Sequence, residues 1–68
     1  MEFKDLFVKL LDQSDYVKMY PSEEEYFIEG WTRKSKEFFD FHEPTLEGVI
    51  TTALNYCKEE NDRFNLQR

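Results

Sequence analysis

Two side chains could serve nucleophilic catalysis, because the chain contains one cysteine, Cys57, and one histidine, His42. A nucleophile needs a base within hydrogen-bonding distance, and Cys57 falls on the apolar side of a predicted helix, which indicates an inert core thiol. His42 falls at a predicted strand-to-helix junction, where a surface or capping role is expected. Glu23, Glu24 and Glu25 could do acid–base work or bind a hard cation, but such a run is typical of a solvated turn.

The sequence carries no motif for a metal or a nucleotide. There is no acidic calcium loop and no paired-histidine zinc motif, and two glycines are too few for a glycine-rich phosphate loop. A single cysteine excludes a disulfide within the chain and a cysteine-rich metal site. We therefore expect no enzymatic activity, no metal and no cofactor.

A basic and aromatic cluster points to recognition instead. Trp31 precedes Arg33, Lys34 and Lys36, and with Tyr26 as a second platform these residues could bind single-stranded nucleic acid by stacking and charge. The net charge of −6 disfavours polyanions such as nucleic acid. It makes basic protein partners more plausible, since charge complementarity steers association.

Nothing in the sequence predicts export or a membrane location. The amphipathic start lacks the continuous apolar region of a signal peptide, and no apolar run approaches the ~20 residues that span a bilayer. A single unpaired cysteine suits a reducing compartment. We expect a cytoplasmic protein with no membrane association.

The elements that must position these residues begin with a helix at about residues 2–13. Its apolar residues recur every three or four positions and form one face: Phe3, Leu6, Phe7, Leu10 and Leu11. A short edge strand is expected at 16–20, and Pro21 should prevent a helix from continuing through it.

Residues 22–41 fit two templates. Ser22 and Glu25 match a capping box that would open a helix, but Gly30 would cost about 1 kcal/mol in a helix interior. The aromatic density is typical of strands, and the polar run at 33–36 has the length of a hairpin loop. We predict a β-hairpin at about residues 25–42.

This hairpin would have two aromatic faces. The expected core face carries Tyr26, Ile28, Phe39 and Phe41, and the opposite face carries Phe27, Trp31 and Phe38. One covering helix would leave an aromatic patch exposed, whereas helices on opposite faces would leave none.

A second helix is predicted at about residues 45–60, with Thr45 as its N-cap. Its buried face is expected to contain Leu46, Val49, Ile50, Ala53, Leu54 and Cys57. Gly48 is unexpected in the first turn. The tail at 61–68 is mostly polar and is expected to fray.

Together these elements predict a single α+β domain over residues 1–68. The order is α-β-β-α, with the strand at 16–20 as an additional member, so that an antiparallel hairpin packs with two helices. The alternative is a three-helix bundle with a helix at 22–41. A chain of this size buries a small core, and aromatic packing or self-association would compensate.

The run KEFFDFHEPTLEGVITTALNYCKEEN resembles a pattern found in small phage and prophage proteins, in which a strand and a polar turn lead into a helix opened by Thr-Leu-Glu. It also resembles the strand-to-helix segment of HicB-type antitoxins. The resemblance implies strands with a helix on each side and an origin in a mobile element. It supplies no catalytic residues.

The functional expectation is a non-catalytic protein-binding module, such as a phage-type accessory protein or an inhibitor of a host protein. The expected contact patch is Phe27, Trp31 and Phe38, with Arg33, Lys34 and Lys36 at its rim. A small single-stranded nucleic-acid-binding protein that uses the same hairpin is the alternative. A structural homodimer that buries the aromatic face is a third reading.

Overall fold

The computed structural model describes residues 3–66, which form two helices and three strands. The order is α1 (Phe3–Gln13), β1 (Ser14–Pro21), β2 (Tyr26–Thr32), β3 (Phe38–Glu43) and α2 (Leu46–Leu66). The α+β prediction is confirmed, and the contested segment is a hairpin rather than the helix of a three-helix bundle. The predicted helix start at residue 2, the Phe3 side chain and the predicted fraying of residues 67 and 68 lie outside this description.

The three strands form one antiparallel sheet in the order β1-β2-β3. The expected edge strand is confirmed and is longer than predicted, since it follows α1 without a loop and ends at Pro21. Its pairing with β2 shifts between Ser14 and Tyr16, so Asp15 is an extra residue in a β-bulge.

One face of the sheet packs into the hydrophobic core. Ile28 on β2 and Phe39 on β3 are buried there, and Phe41 packs against them. This confirms the predicted core face of the hairpin at these three positions. Tyr26 has the same orientation along β2, but its side chain is exposed because it lies at the end of the strand.

Both helices cover this same face. Leu10 of α1 belongs to the buried cluster that also contains Val49 and Ala53 of α2, and the two helices pack against each other. The opposite face of the sheet is left without a helix. The resemblance to small phage proteins and antitoxins implied a helix on each side, and the structure differs in this respect.

Gly30 allows β1 and β2 to approach closely at the bulge. A Cβ atom at this position would lie 1.9 Å from the backbone oxygen of Tyr16 and 3.0 Å from the Phe39 ring. A backbone oxygen cannot move aside as a flexible side chain can. Glycine at position 30 is therefore a requirement of this sheet.

Helix α2 begins as predicted and ends later than predicted. Thr45 is the N-cap, because its Oγ1 accepts a hydrogen bond of 3.0 Å from the Gly48 amide. The helix continues to Leu66 instead of fraying after Glu60. The reason is Asn61, which is polar in sequence but buried and hydrogen-bonded to two other parts of the fold.

Candidate functional site

The uncovered face of the sheet presents nine side chains in three rows across the strands. The register places Tyr16, Trp31 and Phe38 in the first row, Lys18, Glu29 and Asp40 in the second, and Tyr20, Phe27 and His42 in the third. We call these nine residues the open face. Two aromatic rows thus flank one charged row.

The aromatic rings of the open face are ordered by contacts with one another. Trp31 and Phe38 meet edge to face with their centroids 5.3 Å apart. Phe27 stacks on Tyr20 at 5.4 Å and contacts the His42 ring at the same centroid distance. Such pairs stabilise a ring arrangement beyond simple area burial.

These rings nevertheless remain in contact with solvent. The exposed fractions are 49% for Tyr16, 44% for Trp31, 49% for Phe38 and 42% for Tyr20. Trp31, Phe38 and Tyr20 therefore each combine a contact with another ring and a solvent-exposed surface.

The charged row consists of one cation and two carboxylates. Lys18 lies opposite Glu29 in the register, but its ammonium sits 5.7 Å from the centroid of the Tyr20 ring. Glu29 and Asp40 lie directly opposite each other on β2 and β3. Among residues 3–66, the ion pairs are Lys36–Asp15, His42–Glu25 and Arg63–Glu60, so none of them includes Glu29 or Asp40.

His42 closes one edge of the open face. Its Nδ1 lies 2.7 Å from Oε1 of Glu25, in the loop that joins β1 and β2. This contact holds the imidazole beside Phe27. The position is that of a surface residue, as the sequence predicted.

The structure brings together the three aromatic residues predicted for the contact patch. Phe27, Trp31 and Phe38 all lie on the open face. Sequence reasoning missed Tyr16 and Tyr20, whose ring planes extend the same surface. Their alternation with Val17 and Met19 was a usable signal, but only once the pairing of β1 with the hairpin was known.

Two of the three basic residues predicted for the rim of the contact patch form contacts within the fold. The Arg33 guanidinium donates hydrogen bonds to the carbonyl oxygens of Leu11, at 2.9 Å, and Ser14, at 3.0 Å. Lys36 pairs with Asp15, and this hydrogen bond lowers the pKa of the Asp15 carboxyl from its usual value. Only the Lys34 side chain points into solvent without such a contact among the described residues.

Asn61 joins the β2–β3 turn to the end of α1. Its Oδ1 accepts hydrogen bonds from the amides of Lys34, at 2.9 Å, and Ser35, at 3.2 Å. Its Nδ2 donates to both the backbone oxygen and Oε1 of Gln13, each at 2.9 Å. We call Gln13, Ser14, Arg33 and Asn61 the polar junction. Their bonds fasten α1, the turn and α2 together.

The catalytic candidates do not come together. Cys57 is fully buried on the covered side of the sheet, where burial raises the pKa of its thiol to about 11. His42 is exposed on the open face. Within the described part of the chain, no three histidine, cysteine or acidic side chains form a group that could hold a metal ion.

A second surface feature is an apolar cleft of about 270 Å³ at the side of the helical layer. It lies between α1, β1 and the first turns of α2 and is lined by Lys4, Phe7, Met19, Leu46 and Ile50. Its walls belong to the side chains that support the core. The cleft is the alternative to the open face as a binding site.

Comparisons with known proteins give no relative from which a function could be transferred. No protein-family model matches the chain, and no curated protein or solved structure matches it. Neither helix, over the residues described, has the length and apolar character that a bilayer crossing demands.

Proposed function

We propose that this protein is a non-catalytic protein-binding module, such as a phage-type accessory protein or an inhibitor of a host protein, and that it acts in the cytoplasm. The open face is its contact surface. One observation carries the proposal: ordered aromatic side chains are exposed together on a sheet face that neither helix covers.

The size of this aromatic surface supports a binding role. Four rings with 42% to 49% of their surface exposed amount to roughly 300–450 Å², since an aromatic side chain has about 150–250 Å² to bury. Summed over the two aromatic rows, this area is comparable to the largest apolar patch of a typical monomeric protein, which is often functional. Aromatic residues are also enriched at the centres of protein interfaces.

The charges favour a protein partner over a nucleic acid. A nucleic-acid strand lying on the aromatic rows would bring its phosphates close to Glu29 and Asp40. Two of the three basic residues predicted for the rim already have partners within the fold, since Arg33 binds the carbonyl oxygens of Leu11 and Ser14 and Lys36 pairs with Asp15. The net charge of −6 adds long-range repulsion of a polyanion.

The proposal can be tested by affinity capture from a nuclease-treated lysate of the source organism. Three baits are needed: the wild-type protein, a Trp31→Ser/Phe38→Ser variant, and a Val8→Ser/Leu11→Ser control. Val8 and Leu11 are also exposed apolar residues, with 55% and 44% of their surface accessible, but they lie on α1. We expect a stoichiometric protein to bind the wild type and the control and to be lost from the open-face variant.

Three results would count against this function. The partner could bind all three baits equally, residual nucleic acid rather than a protein could be retained, or nothing could be retained. Sedimentation of the purified bait proteins tests whether the protein associates with itself. If the wild type is a dimer and the open-face variant is a monomer, the open face is still the contact surface. The partner would then be a second copy of the chain rather than a host protein.

A further inference from the structure

The centre of the open face is arranged to receive a positive charge. Glu29 and Asp40 are direct register partners on β2 and β3, so their Cβ atoms are about 4.5–5.5 Å apart. Like charges in this arrangement are normally destabilising. A cation that binds both carboxylates would relieve this repulsion at the middle of an aromatic surface.

No side chain of the described residues supplies that cation by an ion pair. Lys18 is the register partner of Glu29, but its ammonium lies over the Tyr20 ring. Lys36 pairs with Asp15, and the Arg33 guanidinium binds the carbonyl oxygens of Leu11 and Ser14. Lys18, Lys36 and Arg33 thus make other contacts, and Lys34 lies in the β2–β3 turn beside Gln13 and Asn61.

We propose that the partner inserts an arginine side chain, flanked by apolar groups, between the two aromatic rows, where Glu29 and Asp40 bind it. This inference rests on the proposed function, because it names the chemistry of the partner that the open face binds. A guanidinium can bind carboxylates through paired hydrogen bonds and can also stack on aromatic rings. Residues two apart on a strand are about 7 Å apart along it, so the rows that contain Trp31 and Phe27 lie within reach of such a group.

The acidity of the whole chain fits the same partner. A net charge of −6 attracts a basic surface over long distances and raises the rate of encounter. A second copy of the chain fits less well, because it would bring another −6 and another Glu29–Asp40 pair to the interface. The apolar neighbours of the arginine would cover the exposed rings of the two aromatic rows.

A library of random short peptides displayed on phage is the probe for this inference. The wild-type protein is used for selection, and the enriched peptides are then measured against Glu29→Gln/Asp40→Asn. We expect the enriched peptides to contain arginine next to aromatic or aliphatic residues. Their affinity should fall about tenfold or more in the variant, because hydrogen bonds to charged groups are the strong ones.

A matched variant distinguishes the effect of Glu29 and Asp40 from the effect of the net charge of the protein. Glu59→Gln/Asp62→Asn removes two exposed acids from α2 and changes the net charge by the same amount. It should weaken the peptides less than about twofold, since exposed distant charges are screened. Replacing the arginine of a peptide with citrulline should reproduce the loss seen with Glu29→Gln/Asp40→Asn.

Two patterns would overturn the inference, and they differ in what they leave standing. In the first pattern, the enriched peptides are neutral or acidic, and they lose binding to Trp31→Ser/Phe38→Ser but not to Glu29→Gln/Asp40→Asn. The open face would then be a binding surface without an arginine site. Peptides unaffected by either variant would bind elsewhere and would remove both the inference and its basis. Failure to enrich any peptide on the open face would also overturn the inference.

Discussion

The two faces of the sheet are made of neighbouring residues on the same strands, yet they differ in what they do for the molecule. Phe39 is buried in the core and contacts Tyr56 of α2, whereas Phe38, the preceding residue on β3, has 49% of its surface exposed. Ile28 and Trp31 show the same contrast on β2. The covered face stabilises the fold, and the open face leaves its aromatic surface available for a partner.

The polar groups show a similar division. At the polar junction, the hydrogen bonds of Arg33 and Asn61 are made within the chain. On the open face, Glu29 and Asp40 form none of the ion pairs of the described residues. Arg33 and Lys36 of the basic cluster therefore make contacts within the fold, whereas Glu29 and Asp40 are the residues that we propose for binding.

The largest expected effect comes from replacing Phe39 on the covered face, and Phe38 on the open face is the comparison. Phe39→Ala should lower the free energy of unfolding by about 3–5 kcal/mol, since it opens a cavity in the core. Phe38→Ala should lower it by about 1 kcal/mol, mostly through the lost ring pair with Trp31. Urea denaturation followed by circular dichroism measures both. Equal losses in the two variants would mean that the open face is also part of the core.

The next effect concerns Asn61, which is buried and bonds to two separate segments. Asn61→Ala should lower the free energy of unfolding by about 1–3 kcal/mol, because the partly buried amides of Lys34 and Ser35 lose their acceptor. Asn65→Ala on the same helix is the control, and as an exposed substitution it should change stability by less than about 0.5 kcal/mol. Similar values for the two variants would show that α2 does not depend on the polar junction.

A smaller effect separates two bases that are adjacent in sequence. Arg33→Ala should lower the free energy of unfolding by about 1 kcal/mol, since its guanidinium donates hydrogen bonds to the carbonyl oxygens of Leu11 in α1 and Ser14 in β1. Lys34→Ala keeps the backbone amide that binds Asn61 and should change stability by less than about 0.5 kcal/mol. Both are measured by urea denaturation. A larger loss for Lys34→Ala would contradict the structural role assigned to Arg33.

Much of the fold could be predicted from local sequence patterns. The apolar spacing around Leu6 and Leu10 predicts α1, Thr45 marks the start of α2, and the alternation on β3 assigns Phe39 and Phe41 to the core. These features depend on residues close together in the chain. Periodicity and capping report on them well.

The remaining features depend on contacts between distant residues. Asn61 lies 48 positions from its partner Gln13 in the sequence. Because the local sequence does not show this contact, the polar character of Asn61 predicted a fraying tail. The packing of both helices on one face decides whether the rings of Trp31 and Tyr16 are exposed, and periodicity within one helix carries no information about which side of a sheet it covers. The pairing of Glu29 with Asp40 likewise requires the register of the strands.

Mapping of the contact by nuclear magnetic resonance would show whether the open face is the contact surface. The isotope-labelled protein would be titrated with the partner captured by the wild-type bait, and the backbone amide shifts followed. We expect the largest changes at Trp31, Phe38 and Asp40, with little change around the apolar cleft at Phe7 and Leu46. Large changes at the cleft together with an undisturbed open face would contradict the account.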